Sequence, residues 1–184
     1  EKLIDAAAEM TTTSGWSSVT IGRLATVVGV SRQTVYNEIG NKPALAESMV
    51  LTELARFLGI VEEAFDHEGD LADAIERAVR EVLAYAADNK LLHAVVSATH
   101  GADTEILPLL TTHSSVLLEG AKDVVRQRVA PHEAEGSLAI AGEELEAGVD
   151  MIVRVVLSHV MAPSGPPAQT AVNIAGITRR VLGI

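Results

Sequence analysis

The sequence predicts an all-α fold. Ala, Val, Leu and Ile dominate a chain in which 48% of the residues are hydrophobic and only 3% are aromatic, a composition that favours helices over strands. Apolar residues recur every three or four positions, which is the spacing of one helix face. Alternating runs of the kind that form hairpins are scarce. The 184 residues suffice for one large domain or two small domains with hydrophobic cores.

Residues 20–42 are expected to form two short helices joined by a tight turn. Gly29 ends the first helix, because glycine adopts a left-handed conformation without a steric penalty. Thr20 and Ser31 are good N-caps for the first and the second helix. The apolar positions that bury one face of this pair are Ile21, Leu24, Ala25, Val28, Val35 and Ile39.

The outward face of the second short helix carries side chains that suit DNA. They are rich in hydrogen-bond donors and flat groups, and comprise Arg32, Gln33, Thr34, Tyr36 and Asn37. A short helix held by a compact partner fits the major groove. The chain has a net charge of −11, but residues 20–42 hold three basic side chains against one acidic side chain. This distribution permits DNA binding here and disfavours wrapping of DNA around the rest of the chain.

Seven further helices follow from the apolar spacing and from glycine and proline breaks. Trp16 is expected to cover the small first core, and Asn41 and Asp70 are expected to cap the helices that follow them. The approximate ranges are 2–14, 42–65, 71–88, 91–99, 104–129, 138–161 and 167–183.

Residues 151–157 are apolar on nearly every side, so a helix there must be covered on two sides. The chain provides cover on one side only, which predicts a partner subunit on the other. Arg154 within this segment needs an ionic partner. The candidates are a carboxylate such as Glu119 or Asp123, or the carboxylate of a ligand, and an ion pair within the chain or across the dimer is favoured.

Several classes of function are disfavoured. The sequence shows no nucleophile elbow, phosphate-binding loop, paired catalytic carboxylates or cysteine, so neither an enzyme nor a cofactor is expected. The six histidines lack metal-ligand spacing, so no metal site is expected. The longest uncharged run, 155–178, contains prolines midway and predicts buried helices rather than a membrane span. No secretion signal is visible, and a cytoplasmic location is expected.

These motifs resemble the TetR family of bacterial transcriptional regulators. The resemblance covers about the first quarter of the chain and rests on the joint spacing of Thr20-Ile-Gly-Arg-Leu-Ala25, Gly29-Val-Ser31, Thr34-Val-Tyr36 and Asn41-Lys-Pro-Ala-Leu45. It implies a three-helix helix-turn-helix DNA-binding domain over 1–45 and a helical ligand-binding and dimerisation domain over 46–184. It also implies a homodimer formed through the last two long helices.

The expected DNA contacts are Thr20, Arg32, Gln33, Thr34, Tyr36 and Lys42. Arg32 and Gln33 stand where side chains reach base edges, whereas Tyr36 and Lys42 match the family's phosphate contacts. Two positions depart from the family pattern. Ile39 replaces a usual aromatic residue, and Glu38 would repel a phosphate, so no backbone contact is expected there.

The expected ligand pocket is mostly aliphatic, and its candidate residues are Phe57, Val61, Phe65, Val82, Tyr85, Val96, His100, Leu110, His113, Leu117, Met151 and Val155. Few aromatic residues disfavour stacking against planar cations. An elongated apolar ligand such as a fatty acyl chain is the favoured occupant, although the same side chains would also serve as ordinary core. The expected dimer interface comprises Ile152, Val153, Val156, Val160, Ile174, Ile177 and Val181.

The resulting hypothesis is a homodimeric repressor that binds double-stranded operator DNA and is released by a small apolar ligand. The ligand would shift the helix over 42–65 and change the separation of two recognition helices, which successive major grooves set at about 34–36 Å. Two alternatives stay open: a regulator that acts as an activator or with a corepressor, and a helical protein that only binds a lipid or another small molecule.

Overall fold

The computed structural model describes residues 1–67, 69–98 and 114–184, apart from the side chains of 95–98 and 114–117. The described chain contains helices and no strand, which confirms the all-α prediction. The helices are α1 (Lys2–Ser14), α2 (Ile21–Val28), α3 (Arg32–Glu38), α4 (Lys42–Asp66), α5 (Leu71–Asp88), α6 (Lys90–Ala98), α7 (Ser114–Ala134), α8 (Gly142–Met161) and α9 (Pro167–Leu182). A short 3₁₀ turn spans Trp16–Ser18. Of the helix predicted over 104–129, residues 104–113 lie outside the described residues.

Two helix boundaries differ from the sequence prediction. α7 continues to Ala134 with Pro131 inside it, because a proline near a helix end removes only one of the last intrahelical hydrogen bonds. α8 begins at Gly142 rather than near residue 138. The backbone N–H of Ala139 instead donates to the carbonyl oxygen of Leu182 at 2.7 Å. A tertiary contact therefore uses the segment that the apolar pattern assigned to a helix.

The described chain divides into two compact units, and the first unit joins residues 1–55 to Asn89 and α6. Its core gathers apolar side chains from α1, α2, α3, the first half of α4 and the start of α6. Trp16 is 3% exposed in this core, as its predicted covering role requires. The other members are Leu3, Ala7, Met10, Val19, Ile21, Leu24, Ala25, Val35, Leu45, Ala46, Met49 and Leu91. The predicted functional boundary between residues 45 and 46 stays a prediction.

The second unit comprises residues 56–88 and 115–184. Among its described helices, α5 and α9 form the most extensive pair, and α8 packs against both. α5 is strongly amphipathic and buries one face, with Ile75, Val79, Val82 and Leu83 inside. α9 buries Ala171, Ile174, Ala175 and Thr178, and the Thr178 hydroxyl donates to the carbonyl oxygen of Ile174 at 2.9 Å. Small residues on α9 thus let the helices approach closely.

Arg154 has a different partner from those that the sequence suggested. Its side chain is 61% exposed, and its Nε donates to Oδ2 of Asp150, one helical turn earlier, at 2.6 Å. Neither Glu119 nor Asp123 bonds to Arg154. The expected internal ion pair is therefore present, but its carboxylate belongs to the same helix. The suggested partners were wrong because the whole of 151–157 was treated as buried, whereas one side of α8 faces outward in the protomer.

Two further features of the described helices concern membranes and metal ions. No helix in the described ranges combines the length and apolarity needed to cross a bilayer. No group of three or more His, Asp or Glu side chains within these ranges is arranged to hold a metal ion.

Candidate nucleic-acid interface and ligand region

The α2–α3 pair is fixed by local hydrogen bonds and one glycine. The backbone N–H of Arg23 donates to Oγ1 of Thr20 at 3.2 Å, and that of Thr34 donates to Oγ of Ser31 at 3.0 Å. Both predicted N-caps are therefore confirmed. Gly29 has φ 77° and ψ 32°, the left-handed conformation that ends α2. Val35 on the inner side of α3 is fully buried in the core. Its packing and the two caps fix the orientation of the outward face of α3.

Three side chains on the outward face of α3 have defined arrangements. Nε2 of Gln33 donates to Oδ1 of Asn37 at 2.9 Å, so the two amides lie side by side on exposed positions. The hydroxyl of Thr34 bonds to that of Ser31 at 2.9 Å, which leaves the methyl group of Thr34 for apolar contact. Tyr36 is 52% exposed. The face thus offers amide groups, a methyl group and a phenol to a neighbouring surface.

Lys42 stands at the start of α4 beside the first core. Its Nζ lies 4.9 Å from the centroid of the Trp16 ring, a cation–π distance. The backbone N–H of Ala44 donates to Oδ1 of Asn41 at 3.0 Å, which confirms the predicted cap. Lys42 is the first residue of α4. Its ammonium group and the N-terminus of the helix both favour an anion nearby.

Arg32, the first residue of α3, folds back onto α2. Its guanidinium group lies against Gly22 in the first turn of that helix. The sequence pattern had assigned Gly22 no role of its own. A signal was present, because a glycine inside a helix is unfavourable by roughly 1 kcal/mol relative to alanine and often marks a close approach.

The candidate pocket residues fall into three groups. Phe57 and Tyr85 pack edge to face with ring centroids 5.0 Å apart, Val82 is buried, and Val61 and Phe65 are half-buried. Met151 and Val155 are 66% and 44% exposed. The others lie outside the described residues or have side chains outside the description: Val96, His100, Leu110, His113 and Leu117.

The candidate dimer residues also divide by burial. Ile177 and Val181 on α9 are 62% and 42% exposed. Val153, Val160 and Ile174 are buried within the protomer, and Ile152 and Val156 are half-buried. The exposed apolar residues of α8 and α9 are Met151, Val155, Met161, Val172, Ile177 and Val181.

An ion-pair network that the sequence did not indicate links α7 to α8. Nζ of Lys122 lies 3.2 Å from Oδ1 of Asp150 and 2.9 Å from Oε1 of Glu119. Hydrogen bonds from Arg154 and then Lys122 lower the pKa of Asp150 below its ordinary value of 3.8. The pKa of Asp150 is thus lower in the folded than in the unfolded chain. The stability that its ionised carboxylate contributes is complete above the ordinary pKa and is lost as pH falls through the lowered value.

A second unforeseen contact ties α6 to α4 within the first unit. Oδ1 of Asn89 accepts a hydrogen bond from the backbone N–H of Leu92 at 2.9 Å and so caps α6. Nδ2 of the same residue donates to Oε2 of Glu53 at 2.6 Å. Leu91, two residues after Asn89, belongs to the core of the first unit. The start of α6 is thus anchored in the unit that carries the α2–α3 pair.

Comparisons with known proteins agree with this architecture. Residues 70–180 match the family model of the bacterial tetracycline repressor C-terminal domain. The HTH-type transcriptional regulator AlkX of Mycobacterium tuberculosis is 27% identical over 176 residues, which are 95% of this chain and 81% of that protein.

Two solved structures are similar in fold. The TetR family repressor AlkX from Dietzia sp. strain DQ12-45-1b, implicated in biodegradation of n-alkanes, has a TM-score of 0.75 and 24% identity over 100% of this chain and 97% of that one. The fatty acid degradation regulator FadR from Bacillus halodurans has a TM-score of 0.68 and 18% identity over 100% and 98% of the two chains.

Proposed function

Because the chain belongs to the TetR family of bacterial transcriptional regulators, we propose that α3 is its recognition helix and enters the major groove of operator DNA. The chain is a DNA-binding, ligand-responsive regulator and not an enzyme. The observation that carries the proposal is the outward row of Gln33, Tyr36 and Asn37 on a helix fixed by the buried Val35. A rigid helix with exposed amides fits direct reading of base edges.

The proposed contacts divide into base readers and phosphate anchors. Gln33 reads adenine through its amide, and Arg32 reads guanine. The methyl group of Thr34 faces a thymine methyl, since its hydroxyl bonds to Ser31. Tyr36 and Lys42 anchor phosphates. Thr20, which caps α2, contacts the DNA backbone through its hydroxyl in this proposal.

Two substitutions separate these roles. We expect Lys42→Ala to weaken binding to all sequences and to reduce the slope of log K against log salt by about 0.9, the value for one phosphate contact. We expect Gln33→Ala to relax specificity at one base pair. Gel shifts and fluorescence titrations at several salt concentrations, with DNA from upstream of the protein's own gene, measure both effects.

The matched control is Lys90→Ala, which removes an exposed lysine at the start of α6 and is expected to leave affinity unchanged. Wild-type affinity, specificity and salt slope in both Lys42→Ala and Gln33→Ala would overturn the assignment of the interface.

We further propose that the ligand is an elongated apolar molecule such as a fatty acyl chain. Phe57 packs against Tyr85, Val82 is buried, and Val61 and Phe65 follow Phe57 one and two turns later on α4, so this set is apolar apart from the Tyr85 phenol. Similar proteins carry names that refer to n-alkanes and to fatty acid degradation, which supports the same chemistry. Purification followed by native mass spectrometry tests for a retained host lipid.

A discriminating measurement follows from that chemistry. Thermal unfolding with a saturated twelve-carbon fatty acid and with the matching alkane is expected to show a raised Tm for at least one. Absence of a retained lipid together with an unchanged Tm for both would refute the apolar ligand.

The proposed assembly is a homodimer in which the partner covers the exposed apolar side of α8 and α9. The exposure of Met151 and Val155 favours this interface over the pocket for these two residues, and Ile177 and Val181 extend the same kind of surface on α9. Val153, Val160 and Ile174 then serve the core of the protomer. Several exposed apolar side chains on two helices that pack together are typical of a protein–protein contact.

The proposed mode of action is repression that the ligand relieves, in the cytoplasm where the DNA lies. The bond between Asn89 and Glu53 supports a route, because it ties the start of α6 to α4 within the DNA-binding unit. A ligand that moves α6 would shift α4 and so disturb the spacing of the two recognition helices. A gel shift with and without the retained lipid distinguishes a repressor that the lipid releases from a regulator that needs it as corepressor.

A further inference from the structure

One close contact joins the two helices of the helix-turn-helix motif. A Cβ atom added to Gly22 in ideal geometry would stand 2.9 Å from each of the Cζ, Nε and Nη2 atoms of Arg32. Unstrained contacts between such atoms need about 3.5 Å or more. The guanidinium group therefore occupies the space that any larger residue at position 22 would fill.

The backbone does not explain glycine at this position. Gly22 lies in the first turn of α2 and is not one of the glycines with positive φ. Alanine is the more favourable residue in such a helix. The carbonyl oxygen of Gly22 accepts a hydrogen bond from the Thr26 hydroxyl at 3.0 Å, but the carbonyl of any residue could do the same. The visible consequence of the missing side chain is the position of Arg32.

Gly22 leaves room for the Arg32 guanidinium group beside α2, and Arg32 keeps its hydrogen-bonding capacity there. In the described part of the chain, Arg32 forms no hydrogen bond or ion pair through its guanidinium group. A flat guanidinium packed on the helix backbone has fewer rotamers to lose when DNA binds. Bidentate pairing with guanine requires one direction of approach, so the direction that the α2 surface imposes matters for the base that is read.

We propose that Gly22 is a positioning residue that directs Arg32 and thereby sets the base preference of the motif at one base pair. This inference rests on the proposed function, in which Arg32 reads a guanine. Gly22 does not touch DNA in this scheme. A methyl group at position 22 would displace the guanidinium by at least about half an ångström and misalign its two donors.

The test is selection of bound sequences from a library of random duplex DNA. Four proteins are compared: wild type, Arg32→Ala, Gly22→Ala and Gly59→Ala. We expect Arg32→Ala to lose the guanine preference at one position. Gly22→Ala should reduce the preference at that same position by roughly fivefold or more and leave the other positions as in wild type. The double variant Gly22→Ala/Arg32→Ala should match Arg32→Ala, because both changes act through one side chain.

Gly59→Ala is the matched control. Gly59 lies in α4 without positive φ, and an added Cβ would meet no atom within 4 Å, so this variant should select the wild-type sequence. Gly22→Ala is expected to fold, because alanine favours helix. Thermal unfolding followed by circular dichroism checks that it does.

The possible results distinguish the role of Gly22 from the proposed DNA-binding role of α3. A wild-type sequence preference for Gly22→Ala, with an altered one for Arg32→Ala, overturns the role of Gly22 and leaves the DNA interface standing. An equal loss of affinity for all sequences in Gly22→Ala also overturns it. If Arg32→Ala keeps every base preference and only lowers the salt slope, Arg32 binds phosphate and the inference fails. If wild type enriches no sequence, the proposed interface and the inference fall together.

Discussion

At the scale of single residues, Lys42 and Trp16 form a pair with a measurable energy. Nζ of Lys42 lies over the ring of Trp16, which is 3% exposed. We expect Lys42→Met, which keeps the aliphatic stem and removes the charge, to lower the free energy of unfolding by about 0.5–1 kcal/mol. Urea unfolding measures this, followed by the emission of Trp16, the only tryptophan in the chain.

The control for that pair is Lys2→Met on the exposed side of α1, for which no change is expected. Equal stability of the two variants would mean that the contact with Trp16 contributes nothing.

Residue-scale predictions from the sequence succeeded where the cause is local. Thr20, Ser31 and Asn41 cap their helices through bonds that span three residues, and spacing alone reveals such bonds. The contact between Arg32 and Gly22 could not be predicted in the same way. It depends on how α3 packs on α2, and no periodicity encodes the direction of one long side chain.

At the scale of helices, the end of α9 depends on a glycine for two reasons. Gly183 has φ 73° and donates its N–H to the carbonyl oxygen of Arg179 at 2.8 Å. A Cβ at Gly183 would also lie 2.5 Å from Cβ of Ala139. We expect Gly183→Ala to be destabilising by about 2 kcal/mol or more, from a left-handed alanine together with a steric clash.

Gly136→Ala separates the two costs of that substitution. Gly136 has φ 68° and no atom within 4 Å of an added Cβ, so only the conformational cost of about 1 kcal/mol applies. Chemical unfolding of both variants measures the difference. Equal losses of stability would show that the contact with Ala139 relaxes without cost.

The same contact explains why one helix start was misplaced. The apolar pattern extended α8 back to residue 138, but the N–H of Ala139 bonds to Leu182 at the end of α9. Propensity and periodicity describe a segment alone. They carry no information on a hydrogen-bond acceptor such as the Leu182 carbonyl, which lies more than forty residues further along the chain.

At the scale of the whole molecule, the sequence predicted a partner subunit on the side of α8 that carries Val153 and Val160, although periodicity could not decide the side. Residues 151–157 are apolar nearly all round, so periodicity gives no phase. The structure supplies the phase, with Val153 buried and Met151 and Val155 exposed. It also joins α6 to the first unit, a long-range association that no local pattern contains.

The proposed dimer leads to a prediction that connects assembly to DNA binding. Ile177 is 62% exposed in the protomer, so Ile177→Glu should leave the protomer folded. A carboxylate buried at a two-fold interface without a partner is strongly unfavourable. We therefore expect a monomer by light scattering at micromolar concentration. Affinity for operator DNA should fall at least about a hundredfold, because a single recognition unit loses the advantage of two linked sites.

Leu51→Glu is the matched control for this change. Leu51 on α4 is 43% exposed and lies in the first unit, so the same substitution there is expected to leave the dimer intact. A dimer that persists in Ile177→Glu would place the interface elsewhere. A monomeric Ile177→Glu that binds operator DNA as tightly as wild type would mean that one recognition unit suffices despite the net charge of −11 on each chain.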